Sequence, residues 1–427
     1  MADRIERISE RTLIVGIDIA KHIHWAQFTD SRGLSLRKPL KIENSCFGFE
    51  KLTVEIATLA ATKGLDNVFI GFEPSGHYWK TLAWYFKTSD TITLVGVNPY
   101  HVKQAKELDD NTQTKNDIKD ALVIARLIRD GRYFDIYLPE NQYADLRVLR
   151  KHRDQMATDR KRIMNNLTAI LDEYFPEYEN IGFNISAKST YAILRSTPFP
   201  SDIVGLTAQE LKEKWKASYL GSRLRIPRHL AELFITAAEK SVAVTAGLEA
   251  TRLRINHLLN QMELLDLQIE ECDQKMDELM SELDIADYLL SVPGVGSVTA
   301  ASFIAETGDL SRFCDWKQIR KLAGLNLVEQ SSGQHKGKTT ISKRGRPDLR
   351  RIIYIIGDKG MLVSPEMLSF YHYLRHRPTN QLSHHQAVLA IGLKLMRIMF
   401  HVVKYREFYD PNKALGPERI AQLNNVA

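Results

Sequence analysis

Apolar residues at Leu258, Met262, Leu265, Ile269, Cys272, Met276, Leu279 and Leu283 recur at alternating steps of four and three. Steps averaging 3.5 residues hold one narrow stripe on the same side of a helix for more than three heptads, and such a stripe is buried only against another helix. Leu248 and Ile255 extend the seam upstream, and a shorter one runs through Leu149, Met156, Ile163, Leu167, Ile170 and Tyr174. A chain with two such seams is predicted to carry a long coiled-coil arm. The spacing leaves open whether the seams pair with each other or with those of a second subunit. Pro176, Gly182, Pro198, Pro200 and Gly205 interrupt the pattern, so 176–228 is expected to be an inserted connection of mixed structure. The arm then spans 136–288 and divides an N-terminal domain, 1–135, from a C-terminal one, 289–427.

Charge is segregated along this frame. The 427 residues include 58 Lys and Arg against 52 Asp and Glu, a net charge of +6. Lys336, Lys338, Lys343, Arg344, Arg346, Arg350 and Arg351 face only Asp348, which by itself equals the excess of the whole chain. Arg147, Arg150, Lys151, Arg153, Arg160, Lys161 and Arg162 form a second basic stretch. The seam at 263–287 is strongly acidic. Basic segments of this density predict phosphate contact, whereas an acidic helix predicts a solvated face or a charge-pairing partner. Three scattered cysteines, Cys46, Cys272 and Cys314, exclude a disulfide scaffold. MADRIERISERT lacks the apolar stretch of a secretory signal, and no uncharged apolar run approaches the length of a membrane span, so a cytoplasmic protein is expected.

The first 130 or so residues have a different rhythm. Leu13–Ile19, His24–Thr29, Pro39–Ile42, Val68–Phe72 and Thr91–Val97 suit strands. Helical patterns follow the third (49–59), the fourth (77–87) and the fifth (117–129). This order predicts an α/β domain that opens with a meander. Asp18 interrupts the apolar run IVGIDIA, Glu73 ends FIGFE, and Asp117 and Asp120 open a helix. A charge in a buried strand is costly unless it is paired or bound to a metal. Carboxylates meeting at strand ends and a helix start would suit Mg²⁺, and two such ions can clamp both oxygens at a reacting phosphorus. Three of them have a plainer reading, a helix cap for Asp117, a first-turn acid for Asp120 and a surface acid for Glu73, whereas Asp18 in mid-strand is harder to explain structurally. Lys21, Asn98, Lys115 and Asn116 are lesser candidates for phosphate or metal-shell contacts.

In the C-terminal third, SVPGVGSVTAASFIAETGDLSRF (291–313) has the look of a helix-hairpin-helix. Its hairpin, containing Gly294 and Gly296, would offer backbone N–H groups and a helix N-terminus to a phosphate, unless it is simply an αα-turn. Ser331-Ser332-Gly333 lies just ahead of the basic run. A serine becomes a nucleophile toward phosphorus only if it is activated and the phosphate charge is neutralised, and most such sequences are ordinary turns. His372 and His376, and the adjacent His384 and His385, are expected to be surface or packing residues, since a zinc site needs further ligands. HQAVLAIGLKLMRIMFHVVKY (385–405) should close the last core.

GIDIAK (16–21), EPSGHYW (73–79), NPYHVKQ (98–104) and KNDIKDALVIARL (115–127) resemble the N-terminal domain of the DEDD transposases of the insertion sequence 110 family, to which the Piv-type DNA invertases are similar. LLSVPGVGSVTAASFIAETGDLSRF, AGLNLVEQSSG and ISKRGRPDLRRIIY resemble that family's C-terminal transposase domain. The resemblance implies a RuvC-like, ribonuclease-H-type N-terminal domain in which Asp18, Glu73, Asp117 and Asp120 hold Mg²⁺, two ions per site. It implies a catalytic serine, best matched by Ser332, with Ser331 as its neighbour in register. It further implies a homo-oligomer, dimer or tetramer, with a composite site, acting on donor and target DNA under the guidance of a non-coding bridge RNA. The basic run 336–351 would hold backbone phosphates, and 147–162 would grip guide RNA or DNA. The rival readings are a junction-cutting endonuclease that uses metal-activated water and a non-catalytic nucleic-acid scaffold.

Overall fold

The computed structural model describes residues 2–109, 117–182, 184–219, 229–329, 331–332, 335–337 and 339–417. The chain parts into two units, residues 1–138 and 139–427.

The first unit is built on one six-stranded sheet. Its elements run α1 (Ala2–Glu6), β1 (Thr12–Asp18), β2 (Ile23–Thr29), β3 (Leu40–Glu43), α2 (Cys46–Lys63), β4 (Asn67–Phe72), α3 (Trp79–Phe86), β5 (Ile92–Val97), α4 (Pro99–Asp109), α5 (Asp117–Arg129) and β6 (Tyr133–Asp135). The strand order is β3-β2-β1-β4-β5-β6. β1, β4 and β5 are parallel, while β2, β3 and β6 join antiparallel. Alternation along β1 sends Leu13, Val15 and Ile17 to one core, with α2 and α3, and Ile14 to the other, with α4 and α5. The meander and the crossovers follow the expected order. The sequence reading placed no element on α4 or β6.

The second unit is helical. α6 (Asn141–Tyr174) and α10 (Leu248–Ser281), each 34 residues long, pack side by side. Arg153 pairs with Asp273 and Arg160 with Asp266, so the two helices run antiparallel, within one chain. Met156, Ile163, Leu167 and Ile170 of α6 and Ile255, Met262, Cys272, Met276 and Leu279 of α10 are buried as the seams require; Leu259 is buried more deeply than its neighbour Leu258. Between these helices come α7 (Lys188–Ser196), α8 (Ala208–Ala217) and α9 (Leu230–Glu239). They pack Phe175, Tyr178, Tyr191, Phe199, Trp215 and Phe234 into a core of their own with the tip of the arm, and the Trp215 N–H donates to Thr197 Oγ1 at 2.8 Å. The inserted connection is therefore a packed helical cap.

The base of the arm joins a different core, in which Leu146, Met276 and Leu279 meet the C-terminal helices. These are α11 (Ala286–Leu290), α12 (Ser297–Thr307), α13 (Trp316–Leu322), α14 (Pro347–Val363), α15 (Pro365–His376), α16 (His384–Tyr405) and α17 (Pro411–Ala414). Four short strands, β7 (Leu327–Val328), β8 (Ser331–Ser332), β9 (His335–Lys336) and β10 (Thr340–Ile341), lie between α13 and α14. α16 is long and apolar enough to cross a membrane, but half of its apolar window is buried in the fold. Val388, Ile391, Leu395 and Met399 are fully buried, and the helix packs against α14 as a core element.

Candidate active site

The acid at the end of β1 is placed by register. Ile17 is level with Phe72 of the parallel neighbour β4, so Asp18 and Glu73, one step on, stand at the carboxyl ends of adjacent strands. Gly16 and Gly71, also level with each other, precede them by two residues and share their face. A Cβ on Gly16 would sit 2.2 Å from Ala121 O and 2.5 Å from Ala125 N. The missing side chain thus lets the backbone of α5 lie on the sheet, and it places Asp120, next to Ala121, at the turn that crosses β1 just before Asp18. The loop after Asp18 is tied down by His24, whose Nδ1 accepts the Ala20 N–H at 3.2 Å. Burial pulls the His24 pKa below its ordinary value, which keeps the ring neutral and able to accept. Sequence reasoning passed over this residue, although His24, Ala26 and Phe28 alternate as one buried face of β2.

Asp120 is not free. Lys106 Nζ on α4 stands 2.5 Å from its Oδ2, and the carboxylate is 14% exposed. Among the described residues no three His, Cys, Asp or Glu side chains come together as a metal cluster. The Asp117 side chain, and all of Lys115 and Asn116, lie outside the described residues. Chemically the donor set fits a hard divalent cation, because it consists of carboxylates on strand ends and one helix. The ammonium of Lys106 supplies positive charge beside one of them. Asn98, a lesser candidate, caps α4 by accepting the Tyr100 N–H at 2.9 Å, and Lys21 is exposed.

Ser331 and Ser332 lie on β8, where Ser331 pairs with Lys336 and Ser332 with His335 of β9, so Ser332 is the last strand residue before the tip. The outer pair, β7 and β10, carries this hairpin. Its base is sewn to the core by Ser342 N to Asn326 O at 2.8 Å, Lys343 N to Gly324 O at 2.9 Å and Arg346 N to Leu322 O at 2.8 Å. The side chains of Ser331, Ser332 and Lys336, and the whole of Gly333 and Lys338, lie outside the described residues.

The two basic stretches need correction. Arg150, expected to grip nucleic acid, has a side chain only 4% exposed that pairs with Asp154 and Glu306. Arg153 and Arg160 pair across the arm with Asp273 and Asp266, and Arg147 donates to the carbonyls of Ala305 and Glu306. Arg346 meets Glu306, Arg350 donates to Ala323 O, and Arg351 pairs with Asp154. These arginines fasten the fold: Arg150, Arg153, Arg160, Arg346 and Arg351 meet acids distant in sequence, which composition along a window does not show, and Arg147 and Arg350 bond backbone carbonyls. Lys151, Lys161, Arg162, Lys343 and Arg344 remain exposed, with Arg162 paired to Asp159. Gly294 is also structural. Its φ of +79° turns the hairpin between α11 and α12, and a Cβ there would lie 2.2 Å from Gly360 N on α14. Gly296 caps α12, but at that helix start the Ser297 hydroxyl donates to the carboxylate of Asp277, so an acid stands near the position expected for a phosphate. The histidines behave as expected of packing residues: His376 bonds the His372 carbonyl, His384 the Tyr371 hydroxyl, and His385 stacks on Tyr354.

Comparison with known families bears on both units. Residues 15–176 match the DEDD transposase domain model, described as a transposase, and residues 286–372 match the model described as transposase, IS116/IS110/IS902 family. The chain belongs to this transposase family. A 44.8 kDa protein of insertion element IS116 from Streptomyces clavuligerus is 26% identical over 93% of this chain and 96% of its own length. The transposase for insertion sequence element IS1111A from Coxiella burnetii is 24% identical over 82% of this chain and 78% of its own. The protein is thus a DNA phosphoryl-transfer enzyme of a mobile element, it binds DNA, and its DEDD domain is of the divalent-metal-using kind.

Proposed function

We propose that this transposase cuts and rejoins DNA through a serine–DNA covalent intermediate. The observation that carries the reading is the level pair Asp18 and Glu73 at the ends of β1 and β4, with Asp120 on the helix laid across Gly16. Asp18, Glu73, Asp117 and Asp120 would hold Mg²⁺, two ions per site. The metal supplies charge stabilisation at the scissile phosphate. Ser332 Oγ attacks phosphorus; the P–O bond to the 3′ oxygen breaks, the serine proton is given up, and the leaving 3′ oxygen takes up a proton. The phosphoserine bond conserves the energy of the broken linkage, so a 3′ hydroxyl from another strand can displace the serine and restore a phosphodiester. The acids and the serine sit on separate units of the chain, and a homo-oligomer, dimer or tetramer, would let a composite site take acids from one subunit and serine from another. A bridge RNA paired with donor and target DNA would move sequence choice out of the protein.

The test is adduct trapping on nicked DNA substrates that cannot religate. Ser332→Ala should abolish the SDS-stable protein–DNA adduct and leave DNA binding intact, while Ser331→Ala should retain it. Adducts that survive Ser332→Ala refute the nucleophile. Cleavage in the wild type without any adduct favours metal-activated water in its place. Asp18→Asn should remove Mg²⁺-dependent cleavage. Sequencing the RNA that co-purifies with the protein tests the guide, with a discrete transcript from beside the gene as the expected result.

A further inference from the structure

One basic surface lies outside both stretches singled out by charge density. On α16, Lys394, Arg397, His401 and Lys404 step by three, four and three, and they fall on the side opposite the buried Val388, Ile391, Leu395 and Met399. α13 packs beside it and adds Lys317, Arg320 and Lys321. The two helices meet at Trp316, whose ring lies 5.1 Å from the Arg320 guanidinium carbon and 5.6 Å from that of Arg397. What separates Arg320, Arg397 and Lys404 from the arginines that pair with acids across the arm is compensation. Arg320 donates to the Asn326 side-chain oxygen at 2.9 Å, Lys404 donates to Cys314 O at 3.0 Å, and Arg397 stacks on the indole. An amide, a carbonyl and a ring orient a cation without cancelling its charge, whereas Asp266 and Asp273 cancel theirs. Arg397 and Lys404 are exposed. The acids of this neighbourhood are Asp315, 3.8 Å from Lys317, Glu407, 3.9 Å from His401, Asp410, which lines a cavity with Arg397, and Glu282, Asp284 and Asp309, which line another with Lys404; among the described residues none of them forms an ion pair with Arg320, Arg397 or Lys404.

We propose that the α13–α16 face is a docking surface for the phosphate backbone of duplex DNA, with Arg320, Arg397 and Lys404 as its principal contacts. Positive charge held in fixed geometry, and not cancelled by an ion pair among the described residues, matches a row of phosphates. The indole of Trp316 is occupied by guanidiniums, so it is not an open platform for an unstacked base, and this favours a duplex over a single strand. The inference rests on the DNA binding of the transposase family and not on the serine chemistry.

The test measures affinity of the full-length protein for a short DNA duplex by fluorescence anisotropy, without divalent metal, across roughly 50 to 200 mM salt. Each lost phosphate contact lowers the slope of log K against log salt by about 0.9. Arg320→Gln, Arg397→Gln and Lys404→Gln together should therefore flatten it by about 2.7, and Lys404→Gln alone by about 0.9. Glutamine keeps an amide donor for Asn326 and Cys314, and Arg397→Lys should restore one contact. An unchanged slope in the single and triple variants overturns the proposal. So does an equal loss of affinity at every salt concentration, which marks a packing effect. A loss confined to an RNA hairpin, with duplex DNA binding intact, also overturns it in favour of an RNA surface. Because no cleavage is read, failure of the serine mechanism would leave these results untouched.

Discussion

Replacing Arg150 separates a fastening arginine from a nucleic-acid contact. Its guanidinium is almost wholly buried, bonded to Asp154 at 2.7 Å and to Glu306, with Asp348 at 3.7 Å. Arg150→Met keeps most of the volume and removes the charge, leaving the Glu306 carboxylate, 13% exposed, short of its nearest cation. Breaking a buried pair by removing one partner costs about 3–5 kcal/mol, mostly from the stranded charge. Here Arg346 stays 3.5 Å from Glu306 and Arg351 stays 2.8 Å from Asp154, so the lower end, about 3 kcal/mol, is expected. Glu306→Gln alone should also destabilise, but the double variant should fall short of the sum by about 1 kcal/mol or more, since the two groups share one interaction. Urea unfolding of the four proteins at fixed pH and ionic strength gives the cycle. Duplex binding by the folded Arg150→Met protein should keep its wild-type salt slope. A cost under about 1 kcal/mol together with a slope shallower by about 0.9 would refute the structural assignment and return Arg150 to the nucleic-acid interface.

Two further perturbations test other parts of the fold. Lys106→Ala removes the cation beside Asp120; if Asp120 is a metal ligand, Mn²⁺ should bind about fivefold more tightly by electron paramagnetic resonance titration, the effect of about 1 kcal/mol for a partly exposed pair, and weaker binding would show that Lys106 helps to build the site. Glu177 fastens the cap by accepting the Ser241 hydroxyl and the Val242 N–H; burial opposes its ionisation, but those bonds prevail and hold its pKa below the ordinary 4.5. A depressed carboxyl pKa contributes stability that is complete above the unfolded value and is lost as pH falls through the native one, so Glu177→Gln should flatten the acid limb of stability below about pH 4.5, and an unaltered limb would count against the cap contact.

Where the sequence carried a clear apolar signal, much of it is buried. The apolar runs of β1 and β4 are interior, and the 4-3 seam of α10 buries Ile255, Met262, Cys272, Met276 and Leu279 while Leu258, Leu265 and Ile269 stay half-buried. α4 was missed because Asn98-Pro99 looks like a strand terminus, whereas proline at a first helical position and an asparagine cap start a helix just as well. β6 is three residues long, too short to show a period. The acids were visible because a charge inside IVGIDIA contradicts its surroundings. The level register of Asp18 with Glu73 was not visible, since it depends on how two strands align. Charge was misjudged for a related reason: Arg153 and Asp273 lie far apart in the chain, so a local window counts the arginine and never its partner.

The same pairs decide what the arm can pair with. Apolar spacing alone would let α10 associate with a second α10 in parallel, but that would bring Asp266 and Asp273 of one copy beside those of the other, and like charges across a helical interface oppose association. α6 paired with itself would do the same with Arg153 and Arg160. Only the mixed, antiparallel pairing sets Arg153 against Asp273 and Arg160 against Asp266 at once. Seven residues separate the partners on each helix, one heptad, so a slip of the seam by one heptad in either direction breaks at least one bridge. Charge therefore selects the partner and the register, while the apolar seam supplies the burial. In this structure the arm, about 51 Å long for 34 residues, is formed by α6 and α10 of the same chain.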